Sequence, residues 1–191
     1  YEASVGGGIP IIGALTNHLK ANEIHTIKAI INGTTNYILS SMSNSVVSFE
    51  EALNEAKKQG FAETDPSNDI NGNDAAYKLA ILSSLAYQTE VKNPEIHREG
   101  IESISSEDIS YARELGYCIK LLATSKITDN FLQARVHPAL IPLDYPLAKV
   151  NGVDNAIELE GDLVEWAFFQ GPGAGSGPTS SAILGDLIEI A

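Results

Sequence analysis

The hydrophobic pattern changes its period at Gly116, and that change limits the fold more than any other feature of the chain. Before it, apolar residues recur at helical spacing. Ala75, Leu79, Leu82 and Ala86 form one stripe on a helix predicted over residues 74–87. After it, residues 119–128, 131–139, 156–160 and 164–169 read as strands and suggest an antiparallel meander. Only one earlier segment, residues 26–31, has the β-branched run of a buried strand. Helices and strands are partly segregated, which predicts an α+β fold: a mixed, largely antiparallel sheet with helices packed on one face.

Local signals set the helix ends. Pro10 suits the first turn of a helix running to about Leu19, where a missing N–H costs nothing. Asn32-Gly33-Thr34-Thr35 reads as a turn that caps a helix starting near Asn36. Ser48 and Glu51 make a capping box for a helix over residues 48–59, stopped by Gly60. A further helix over residues 106–115 stops at Gly116. The last segment is a glycine loop, residues 171–177, then a helix from Pro178 with Ile183, Leu187 and Ile190 on one face. Between Gly60 and the helix at Asp74 lies a polar loop of 13 residues, 61–73, a length expected of functional or disordered segments.

Charge and length exclude whole classes of function. With 25 acidic residues against 12 basic ones, the net charge of −13 argues against a nucleic-acid or anionic-membrane partner. No apolar run approaches the roughly 18 residues needed to cross a bilayer. The 191 residues suit one domain, and a single cysteine, Cys118, suits a reducing, cytoplasmic compartment. The start at Tyr1 has no signal-peptide pattern and no initiator Met, which suggests a piece of a longer chain.

Chemistry concentrates in the polar loop. Glu63, Asp65, Asp69 and Asp74 place four carboxylates in twelve residues, with Lys78 one helical turn beyond. One reading is a solvated acidic loop feeding a helix N-terminus, where the macrodipole favours Asp74. A calcium loop aligned on Gly72 fails, because Lys78 falls where the bidentate glutamate must sit. The third reading is a substrate site. Asp74 and Lys78 share a helix face, so Lys78 can serve as a proton donor while carboxylates such as Glu63 hold an ammonium group.

Other candidates are weaker. Neither glycine segment has the G-x-G-x-x-G spacing of a dinucleotide fold: the sixth position is Ile11 in one and Ser176 in the other. The 171–177 loop could still contact an anion or cofactor through free N–H groups, or be a plain helix entry. The four histidines have no metal-ligand spacing. Cys118 reads as a small buried hydrophobe, and Trp166 with Phe168 as a packed strand face.

Five motifs, in order along the chain, together resemble homoserine dehydrogenase. They are Val5-Gly6-Gly7-Gly8-Ile9-Pro10, the run from Asn32 to Leu39, that from Gly60 to Pro66, that from Asp69 to Leu79, and Gly171-Pro172-Gly173-Ala174-Gly175 with Pro178-Thr179. The resemblance implies NAD(P)-dependent interconversion of L-aspartate 4-semialdehyde and L-homoserine. It makes Lys78 the proton donor with Asp74 beside it, and Glu63 the ligand of the substrate amino group. Asp69, Gly33 and Thr34 then lie near the substrate. Gly173 and Ala174 match a contact to NAD or NADP, and Glu2, Val5, Gly7 and Ile9 a monovalent-cation (sodium) site built mostly from carbonyl oxygens.

The same resemblance identifies residues 1–191 with the catalytic and dimerisation domain, without the N-terminal Rossmann domain, its further lysine or a regulatory domain. Residues 171–191 would return to the cofactor domain. It also implies a homodimer, and it places Phe61 where many relatives carry tyrosine. A non-catalytic dimerisation or interaction module remains the alternative for the isolated piece.

Overall fold

The six strands of the computed structural model form one sheet in the order β2-β4-β3-β1-β5-β6. The structure describes every residue except Val46 and Asn130. The strands are β1 (Ile24–Ile30), β2 (His97–Arg98), β3 (Tyr117–Thr128), β4 (Phe131–Pro142), β5 (Asp154–Gly161) and β6 (Glu165–Pro172). All neighbours pair antiparallel except the short β2, which runs parallel to β4. The expected class therefore holds, but the meander does not. β3–β4 and β5–β6 are hairpins, and β1, nearly 90 residues upstream of β3, separates them at the centre. Hairpins follow from local turns, whereas the insertion of β1 satisfies both inner edges at once.

The helices are α1 (Ile11–Gly13), α2 (Gly33–Ser45), α3 (Phe49–Lys58), α4 (Ser67–Ile70), α5 (Asn73–Tyr87), α6 (Ser106–Glu114) and α7 (Ser176–Ile190). α1 runs on as a π turn, Ala14–His18, closed by Leu19 N–H to Ala14 O. α3 carries the predicted capping box: Glu51 N–H donates to Ser48 Oγ and Ser48 N–H to the Glu51 carboxylate. Two expectations are corrected. α2 starts at Gly33, three residues early, because Asn32 is its cap. The 61–73 loop is also interrupted by α4, whose backbone hydrogen bonds Pro66 supplies with acceptors.

The alternation of the strands divides the interior. Ile27, Ala29, Ala123, Ile157 and Leu159 share the main core with Leu79 and Leu82 of α5. Ile30, Leu122 and Ala156, from the other face, join Leu147 and Val150 of the β4–β5 connection in a smaller core. Helices thus cover one face, and a single irregular segment covers part of the other.

Lys120 is 2% exposed. Among the described residues it has no salt-bridge partner, but its ammonium donates to Val150 O (2.6 Å), Asn36 Oδ1 (3.0 Å) and Asn151 Oδ1 (3.2 Å), pinning α2 to β3. Burial pushes its pKa down to about 8.

On the open part of the sheet, Lys28 bonds Glu160 (2.7 Å), Glu158 (2.9 Å) and Tyr145 (3.1 Å). Burial draws the Lys28 pKa down, but these hydrogen bonds together raise it above its usual value. Of Trp166 and Phe168, expected on a packed face, Phe168 packs against the smaller core while Trp166, half exposed, stacks on it at 5.7 Å. Cys118 is half-buried in β3, and burial pushes its thiol pKa up, as suits an inert residue. α7 has no buried residue, so its apolar Ile183, Leu187 and Ile190 face outward. No helix among the described residues is long and apolar enough to cross a membrane.

Candidate functional site

The site begins where β1 ends. Asn32 follows the strand and caps α2: its Oδ1 accepts from the Thr35 N–H and hydroxyl, both at 2.9 Å. That bond fixes the amide so that Nδ2 points away from the helix. There it donates to Asp69 Oδ1 of α4 at 2.7 Å and to Asp74 Oδ2 of α5 at 2.9 Å. One turn along α5, Lys78 Nζ donates to the same Asp74 Oδ2 at 2.7 Å and to Ile31 O at 3.1 Å. The network closes on itself, from the end of β1 through two helices and back.

These groups form one wall of a cleft of about 440 Å³. Gly33, Thr34, Gly60, Phe61, Val153, Asn155 and the loop Gly173–Gly175 complete its lining. Thr34 Oγ1 donates to Phe61 O at 2.7 Å, and the Phe61 ring packs on Tyr37 at 4.9 Å, so the segment after α3 is held to the start of α2. Glycine is required at two places by close approach. A Cβ on Gly33 would stand 2.8 Å from Val153 O, and one on Gly173 would overlap the Asn155 amide.

The charges decide what the cleft can hold. One ammonium, Lys78, faces two carboxylates, so the wall carries a net negative charge and favours a cationic group on a ligand. Asp69 Oδ2 and Asp74 Oδ1 make no hydrogen bond among the described residues and are free to accept one. Lys78 keeps about a quarter of its side chain exposed, enough to reach a bound oxygen.

The structure brings together Lys78, Asp74, Asp69, Gly33, Thr34, Gly173 and Ala174, all expected from the sequence. Glu63 is not among them: it sits exposed on the segment between α3 and α4, off the cleft lining. The Glu2 carboxylate is already occupied, accepting from the Ile12 and Gly13 N–H groups, both at 2.7 Å. It caps α1, which leaves only its carbonyl for a cation. Val5 and Ile9 are buried, and Gly7 lies against Gly173. Among the described residues no three or more His, Cys, Asp or Glu side chains cluster as metal ligands.

Sequence reasoning gave Asn32 only a turn and missed Asn155. A helix-capping asparagine was legible. Its reach to carboxylates 37 and 42 positions away was not.

A family model described as Homoserine dehydrogenase matches residues 10–188. Homoserine dehydrogenase of Helicobacter pylori is 51% identical over 191 residues, covering all of this chain and 45% of its own length. The crystal structure of a homoserine dehydrogenase from Thiobacillus denitrificans superposes with a TM-score of 0.97 at 46% identity, over all of this chain and 44% of that one. A hyperthermophilic archaeal homoserine dehydrogenase mutant in complex with NADPH gives a TM-score of 0.82 at 32% identity, over 99% of this chain and 54% of its own. The chain thus spans about half the length of the curated relatives it matches. By sequence and by fold, it belongs to the homoserine dehydrogenase family.

Proposed function

We propose that this chain is the substrate-binding and dimerisation domain of a cytoplasmic homoserine dehydrogenase, interconverting L-aspartate 4-semialdehyde and L-homoserine. The observation that carries the reading is the Lys78–Asp74–Asn32–Asp69 network in the cleft. Lys78 Nζ would donate the proton that turns the carbonyl oxygen into a hydroxyl. Asp74, bonded to that nitrogen, keeps it aimed. The free oxygens of Asp69 and Asp74 suit the substrate ammonium, and Glu63 would join them only after its segment moves inward. Gly33 and Thr34 shape the rim beside the reacting carbon.

The residues present fit a nicotinamide dinucleotide in the cleft. Gly173 lets the loop backbone lie directly against the Asn155 amide, where a Cβ would clash, and Asn155 Oδ1 is buried there without a partner among the described residues. When bound, NAD(P)H would supply the hydride. Gly173 and Ala174 would contact it through their backbone, with residues 171–191 leading to a nucleotide-binding domain whose partner face is the apolar side of α7. A sodium ion is proposed on the carbonyls of Glu2, Val5, Gly7 and Ile9, where it would supply a positive charge to the backbone. With the Glu2 carboxylate occupied, side chains contribute nothing to that site.

The test is Lys78→Met in the full-length protein. Turnover of homoserine should fall by about 10²–10⁴-fold, as for loss of a positioned acid or base, with dinucleotide affinity unchanged. Near-normal kcat would refute the role of Lys78. No turnover in the unaltered full-length protein would leave an interaction module.

A further inference from the structure

Asn155 is 1% exposed, and among the described residues its Oδ1 is the acceptor of no hydrogen bond. A buried amide oxygen without a donor is uncommon and costs stability, so such a group calls for an explanation. The position of Asn155 narrows what that explanation can be. It opens β5 opposite Gly171, on the sheet face that carries the main core two residues later at Ile157. At that point the core ends and the cleft begins, and Asn155 is part of the cleft wall. The loop backbone at Gly173 lies directly against it; a Cβ there would overlap its amide.

We propose that Asn155 is a ligand-contacting residue, pairing its carboxamide with the carboxamide of a bound nicotinamide ring. The inference rests on the dehydrogenase reading and adds a recognition element to it. An asparagine amide offers one acceptor and a donor group side by side, and a nicotinamide carboxamide offers the same pair in reverse. Either orientation of the Asn155 amide can therefore be satisfied by the same ligand group. The amino-acid substrate is the poorer match. Its ammonium has the free oxygens of Asp69 and Asp74, and Asn155 hydrogen-bonds to neither aspartate.

The experiment compares two reduced dinucleotides by equilibrium binding to the full-length protein: NADPH and its 3-acetylpyridine analogue, whose acetyl group has no N–H to donate. The unaltered protein should prefer NADPH. Asn155→Ala should lose about 3- to 10-fold more affinity for NADPH than for the analogue, the span of the one net hydrogen bond that the analogue cannot make. Asn155→Ser provides a smaller perturbation should the alanine variant fold poorly. The Asn155 side-chain N–H resonances should shift with NADPH and stay in place with homoserine. Equal loss for both dinucleotides, or a raised homoserine KM with dinucleotide preference intact, would overturn the assignment. Failure of the unaltered protein to oxidise homoserine would instead overturn the dehydrogenase reading, so the two failures are distinguishable.

Discussion

Asn32 does two jobs with one amide, and both depend on its orientation. Its oxygen holds the first turn of α2, and its nitrogen holds Asp69 and Asp74 together. Without that donor, Asp69 and Asp74 would lose the group that links them. Asn32→Ala removes a helix cap, worth about 1 kcal/mol, and hydrogen bonds to charged acceptors, worth about 1.5–3 kcal/mol. The variant should therefore lose about 3 kcal/mol of stability, read from the urea midpoint at unchanged slope. A loss below about 1 kcal/mol would mean that water replaces the amide readily and the network is not held from Asn32. The sequence pointed to these partners unevenly. Asp74 and Lys78 were legible because helical spacing places them together. Asp69 and Asn32 join them only through the fold, and Asn155 carries no local signal at all.

The elements divide along the same line between local and distant causes. The capping box at Ser48 and the stripe of α5 are properties of a few adjacent residues, and the structure has both where the residues place them. The position of β1 between two hairpins depends on pairing across about 90 residues, which no local pattern encodes. α4 was hidden because four residues between polar neighbours give no period to detect. Lys120 belongs here too, since it joins three elements: α2, β3 and the β4–β5 connection. Its folded pKa of about 8 lies below the unfolded value of 10.5. Between those two values the unfolded chain binds more protons, so stability must rise with pH across that window and be flat with respect to this group below it. The gain by pH 10 should be of the order of 2 kcal/mol. Denaturation at pH 7.5 and pH 10 should show that rise in the unaltered protein, and Lys120→Met should remove it. The same rise in both proteins would assign it to other groups.

At the scale of the molecule, two surfaces are left uncovered by this chain, and they differ in character. α7 presents an aliphatic face of Ile183, Leu184, Leu187 and Ile188, all about half exposed or more. The sheet presents the Trp166–Phe168 stack beside the ion pair of Lys28 and Glu160. A rigid aromatic pair next to fixed charges has the make-up of a specific protein interface, whereas a lone aliphatic helix face suits packing against another domain. We therefore place the proposed homodimer on the sheet and the nucleotide-binding domain against α7. Sedimentation equilibrium of the 191-residue chain should show a dimer, and its Tm should rise with protein concentration, because association stabilises the folded state by mass action. Trp166→Glu sets a charge at the centre of the stack and beside Glu160, its cross-strand partner. Because Trp166 is half exposed, the monomer should keep its fold while the dimer dissociates. Ile188→Lys, on α7, should leave the dimer intact. A variant at Trp166 that still sediments as a dimer would move the interface elsewhere, and disruption by Ile188→Lys alone would move it to α7.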